Sequence, residues 1–146
     1  MAEFVMRDIA RKRGFSDKIE ISSLATSDEE LGNPVHWGTV RKLSEHGISC
    51  AGKYAVQMCP SDLEYNDMIV IMDRSNRYAV ERMASRCCGR NADAVIAKIH
   101  ALKEFTASGG GDVADPWYTG NFDETWDDVY EGCNGLADYL IKEGIC

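Results

Sequence analysis

With 146 residues, 45% of them hydrophobic and 27% charged, the chain has the length and make-up of one globular domain. Such a domain buries about 70% of the surface its unfolded chain exposes, enough for a real core. Asp and Glu number 24 against 16 Lys and Arg, and the net charge of -8 argues against nucleic acid and anionic membranes as partners.

The chain alternates between helix and strand signals. Residues 2–13 read as a helix, with Phe4, Val5 and Ile9 on one face, Arg7, Asp8, Arg11 and Lys12 off it, and Gly14 as its stop. Residues 18–23 alternate and include β-branched side chains, which predicts a strand. A polar loop follows, and Asn33-Pro34 supplies a cap and a first-turn proline for a helix to about His46, ended by Gly47. An irregular stretch holds residues 50–58, and Pro60-Ser61-Asp62 opens a short helix. Residues 67–72 are apolar after Asp67, as expected of a strand covered on both faces. Residues 75–86 read as a helix and residues 97–102 as a further strand, with Lys98 and His100 on one side. A Gly-rich loop over residues 107–114 leads to Asp115. Asn121 caps a last helix to about Glu143, stopped at Gly144, with Phe122, Trp126, Val129, Cys133, Leu136 and Leu140 on one face. Asp123, Glu124, Asp127 and Asp128 complement the positive end of that helix. This order predicts an α/β fold around a parallel sheet.

No apolar run approaches the roughly 20 residues of a membrane span. Met1-Ala2-Glu3-Phe4 lacks the basic-then-apolar pattern of a secretion signal, so a cytoplasmic location is expected. The six cysteines form no C-x-x-C pair and no Cys/His cluster, so reduced thiols are expected rather than a metal site. Cys87-Cys88 are adjacent, which suits incidental thiols better than a redox pair.

One loop combines groups that chemistry can use. Asp115-Pro116-Trp117-Tyr118, followed by Thr119-Gly120-Asn121-Phe122, joins an acid, a rigid turn residue and two aromatics. It can offer a proton donor and an aromatic wall to one ligand; by itself the pattern also describes an ordinary turn with aromatics in the core.

Five segments in order give a firmer reading. Met1-Ala2-Glu3-Phe4, Ser27-Asp28 with Gly32-Asn33-Pro34, Glu45-His46-Gly47-Ile48, Met72-Asp73-Arg74-Ser75-Asn76 and Asp115-Pro116-Trp117-Tyr118 resemble the low-molecular-weight protein tyrosine phosphatases in their bacterial form. The resemblance covers nearly the whole chain. It implies a three-layer α/β domain with a parallel four-stranded sheet of the phosphotyrosine phosphatase I type. In that family a first, central strand and a C-x-x-x-x-x-R-[ST]-P loop stand immediately before Met-Ala-Glu. The expectation is therefore a single domain over residues 1–146, N-terminally truncated, with the central strand missing between residues 18–23 and 67–72. An unstable domain, or self-association through the open slot, would follow.

The resemblance also implies a mechanism. A cysteine thiolate attacks phosphorus, loop amides and an arginine hold the phosphoryl oxygens, and an aspartic acid protonates the leaving phenol oxygen and then activates water. Asp115 would be that acid. No cysteine of this chain is followed by an arginine at the motif's spacing, so the chain is expected to be inactive. Trp117, Tyr118 and Glu29 would meet substrate, with Glu29 standing where many members carry an aromatic and so favouring basic flanking residues. Ser23 and Asp73 would support the phosphate loop, and Gly52 falls where some members have a supporting histidine. His36, His46 and His100 carry no acid–base role, and His46 suits a helix C-terminus. No metal or cofactor is implied, and the expected partner is a phosphotyrosine protein or peptide. Alternatives are a non-catalytic binding module, a phosphoarginine phosphatase, or an arsenate reductase relative, for which Cys87-Cys88 fits poorly.

Overall fold

Helix α1 (Ala2–Arg13) ends where Gly14 turns left-handed at φ 79° in the computed structural model, which describes residues 1–146. Arg11, Lys12 and Arg13 in its last turn complement the negative helix end. The longest helix, numbered α7 in chain order, spans Phe122–Lys142 and starts where the Asn121 side chain accepts from the amides of Asp123 and Glu124. Val5, Met6, Ile9 and Ala10 of the first helix meet Trp126, Val129, Cys133, Leu136, Ala137 and Leu140 of the last in one buried cluster. The last helix also lies against the chain at Leu102–Phe105, with glycine at the points of closest approach. A Cβ on Gly135 would fall 1.9 Å from the Phe105 carbonyl oxygen, and one on Gly132 2.6 Å from Leu102 Cγ.

The sheet has two strands. β1 (Ile69–Ile71) and β2 (Ile99–Ala101) run parallel, with Ile69 opposite Ile99 and Ile71 opposite Ala101. Side chains alternate across it as strand geometry requires. Ile69, Ile71, Ile99 and Ala101 face a second cluster with Leu63, Val80, Ala84 and Val95. Met68, Val70 and Met72 face the cluster of the first and last helices. That second cluster is built from α3 (Pro60–Tyr65), α4 (Arg74–Cys87) and α5 (Ala92–Ile96). The apolar run at residues 67–72 is thus covered on both faces, as its composition requires. No helix is long and apolar enough to cross a membrane, and all six cysteines are free thiols.

Two expected elements differ. Residues 18–23 are not a strand. Residues 19–24 make no main-chain to main-chain hydrogen bond; the Arg7 guanidinium instead donates to the Ile21 carbonyl and Lys53 Nζ to the Ser23 carbonyl. The sheet therefore has two strands where the sequence predicted three within this chain. The helix expected from Asn33-Pro34 begins later, as α2 (Trp37–Glu45). Asn33 accepts from the Ala55 amide at 2.9 Å and Pro34 lies in an antiparallel bridge with Tyr54, so the chain stays extended there. His36 supplies the cap, its Nδ1 accepting from the Gly38 amide at 3.1 Å. His46 stands at the C-terminus of this helix and stacks on Trp126, with centroids 3.7 Å apart.

Candidate active site

The loop carrying Asp115 begins at the carboxyl end of the sheet, where ligand crevices of open α/β folds form. The Val113 amide donates to the Met72 carbonyl at 2.8 Å, just past the end of β1. The Ala114 amide donates to the Asp128 carboxylate at 3.1 Å, and its carbonyl accepts from the buried Thr125 hydroxyl at 2.6 Å. Both ends of Ala114 are therefore tied to the last helix.

Beyond this stem the chain makes one short helix, α6 (Pro116–Thr119), with Pro116 at its first position. Asp115 caps it, one carboxylate oxygen accepting from the Trp117 amide at 2.9 Å. Gly120 closes the turn at φ 67°. The carboxylate is exposed, and its second oxygen makes no hydrogen bond within the protein. Trp117 and Tyr118 are 67% and 86% exposed, so neither packs in the core. An acid and two aromatics thus share one solvent-facing turn.

The other candidate residues come from other segments of the chain. Ser23 donates its hydroxyl to Glu3, in the first turn of α1. Glu3 is only 6% exposed, and its carboxylate also meets Lys53 and Arg7, each at 2.8 Å. Burial by itself would raise the Glu3 carboxyl, but hydrogen bonds from Lys53 and Ser23 and the charges of Lys53 and Arg7 outweigh it and hold the group below its usual range. Asp73 caps α4, accepting from the Asn76 amide at 2.7 Å. Its neighbour Met72 holds the stem of the acid loop. Glu29 lies exposed in a turn with no hydrogen bond or ion pair. No hydrogen bond links the Glu3–Ser23–Lys53 group to the Asp115 turn.

Sequence reasoning missed two residues here. Glu3 was counted only as part of the resemblance, whereas it is the hub of the Ser23 and Lys53 contacts. The signal in the sequence is an acid four residues before Arg7, the spacing of an ion pair along one helix face. His36, which carries no acid–base role in the sequence, stacks its ring on Phe122 (5.5 Å, 14°) and stands nearly perpendicular to Trp117 (5.4 Å, 82°).

A family model described as low molecular weight phosphotyrosine protein phosphatase matches residues 1–145. The chain belongs to that family. It is similar to the low molecular weight protein-tyrosine-phosphatase YfkJ of Bacillus subtilis, 35% identical over 143 residues that cover 98% of this chain and 88% of YfkJ. The crystal structure of YfkJ superimposes with a TM-score of 0.87 over 97% of this chain and 86% of that one. PtpA of Staphylococcus aureus strain MRSA252 is 33% identical over 144 residues, covering 98% of this chain and 86% of PtpA. The Streptococcus pyogenes low molecular weight phosphatase SP-PTP, 35% identical, gives a TM-score of 0.77 over 97% of this chain and 81% of its own. The family members are phosphatases of phosphoproteins by name, and the chain shares their α/β fold.

Proposed function

We propose that residues 1–146 form one phosphatase domain for phosphotyrosine-type monoesters in which Asp115 is the general acid and base. The observation that carries the reading is the solvent-facing turn of Asp115, Trp117 and Tyr118 at the carboxyl end of β1, in a chain of this family. In the reaction a cysteine thiolate forms a bond to phosphorus as the bond to the phenol oxygen breaks, and Asp115 gives that oxygen its proton. Water then attacks the phosphocysteine, Asp115 takes a proton back, and the thiolate departs with phosphate released. Trp117 and Tyr118 offer rings to the phenol. Glu29 adds negative charge, which suits basic residues flanking the phosphotyrosine. Glu3, Ser23 and Lys53 brace the start of α1, and Asp73 braces the loop before α4.

Residues 1–146 contain no cysteine with an arginine at the family's spacing, so this chain by itself is expected not to turn over. We also read residues 19–24 and β1 as the walls of a slot for one more parallel strand. Ile19, Ile21, Met68 and Val70 pack against the same core, and residues 19–24 have no main-chain partner.

A chimera with the family's first strand and phosphate loop joined ahead of Met1 tests both parts. It is expected to hydrolyse aryl phosphates where the chain alone matches a buffer control. In the chimera Asp115→Asn is expected to lower kcat by about 10²–10⁴ for phenols that leave poorly, and much less for nitrophenols, because a general acid helps most where the departing oxygen is most basic. Equal losses across the leaving-group series would remove Asp115 from the role of acid. Turnover by the unmodified chain at an enzyme's usual rate of about 1–10³ s⁻¹ would mean that one of its own cysteines serves.

A further inference from the structure

The stem of the acid loop is well tied, but its tip is not. No residue from 116 to 120 makes a hydrogen bond outside residues 115–121. Beside it a gap of about 230 Å³ separates Thr119 and Gly120 from Gly38, Arg41 and Lys42 of α2. One aromatic contact joins this turn to the start of α2, with the Trp117 and His36 rings nearly perpendicular and their centroids 5.4 Å apart.

The His36 ring is fixed from three sides. Its Nδ1 accepts from the Gly38 amide and caps α2, so the neutral ring carries its proton on Nε2. Phe122 lies nearly parallel to it, and Trp37 leans on it with centroids 5.5 Å apart. Phe122 reaches this place because residue 38 is glycine: a Cβ there would fall 2.3–2.7 Å from three Phe122 ring carbons. A ring held in this way offers a fixed platform to whatever rests on it.

We propose that His36 is a positioning residue for Asp115, acting through Trp117. The inference rests on Asp115 being the acid. The cap and Phe122 hold the imidazole, the imidazole holds Trp117, and the Trp117 amide holds the Asp115 carboxylate. The placement matters because a misplacement of ~1 Å can cost a reaction about 10²-fold. Supporting rings of this kind preorganise a catalytic group without touching substrate.

The test uses the chain as it stands, labelled with fluorotryptophan, and reads the three tryptophan signals by fluorine NMR. His36→Asn keeps a good helix cap and removes the ring. The Trp117 signal is expected to move to its position in the urea-unfolded chain and to sharpen, while the buried Trp126 stays in place. His36→Phe removes the cap acceptor but keeps a ring and is expected to leave Trp117 near its original position. Should His36→Asn unfold the chain, seen as loss of the Trp126 shift, Phe122→Leu gives the same reading by removing the ring beneath His36: Trp117 is expected to move and Trp126 to stay. An unmoved Trp117 in a folded His36→Asn, or in Phe122→Leu where His36→Asn does not fold, overturns the proposal, as does a displaced Trp117 in a folded His36→Phe. This outcome is independent of catalysis; a loss of the acid role shows only in the leaving-group series of the chimera.

Discussion

Replacing Glu3 with Gln should destabilise the fold by about 2–3 kcal/mol at pH 7, and by much less in acid. The carboxylate is buried, with its side chain 3% exposed, and it meets two cations and a hydroxyl. A hydrogen bond to a charged group contributes roughly 1.5–3 kcal/mol. Arg7 is 52% exposed and its share is mostly returned to water, whereas Lys53 is 25% exposed and keeps more of it. Glutamine preserves shape and one acceptor, so the loss falls short of the roughly 3–5 kcal/mol of leaving a buried charge unpaired. The pH dependence follows from the depressed Glu3 carboxyl. Its contribution is complete above the ordinary value of 4.5 and fades as pH falls through the lower value of the folded state. Urea unfolding followed by tryptophan fluorescence, at pH 7 and at steps below 4.5, compares the two proteins. In a thermal melt at pH 7 the variant's Tm should fall by roughly 5–10 °C. A gap that stays constant with pH would place the effect in packing rather than charge, and no gap at pH 7 would show that Lys53, Arg7 and Ser23 accept an amide equally well.

Gly135→Ala tests the approach of the last helix to the Phe105 carbonyl. Overpacking costs about 1–3 kcal/mol and the better helix former returns about 1, so a net loss of about 1–2 is expected, in the upper part of the range because the clash is with backbone; an unchanged urea midpoint would mean that the helix shifts freely. Burial pushes the Cys133 thiol up to about 12, which leaves roughly one thiolate in 10⁴ at pH 8. A disulfide reagent at pH 8 is expected to modify the exposed Cys59 and Cys87 promptly and Cys133 only after unfolding; early labelling of Cys133, read by mass spectrometry, would contradict its burial.

The sequence by itself determined the family, the first and last helices, and the grouping of an acid with two aromatics over residues 115–118. Those features are local. The apolar stripe from Trp126 to Leu140, the Asn121 cap, and the Asp115-Pro116 start of a turn each act within a few residues, so their meaning does not depend on distant partners. Residues 18–23 show the limit of such signals. Alternation marks them as able to form a strand, but a strand exists only through a neighbour's main chain, and here Arg7 and Lys53 take two of their carbonyls instead. Asn33-Pro34 has the composition of a helix start and loses to an antiparallel bridge with Tyr54, 20 residues along the chain. Only the tertiary structure put Ser23 and Lys53 on Glu3, because these contacts join segments 20 and more residues apart. It alone seated His36 between Phe122 and Trp117, where the missing side chain of Gly38 lets two helix starts come close enough for rings to touch.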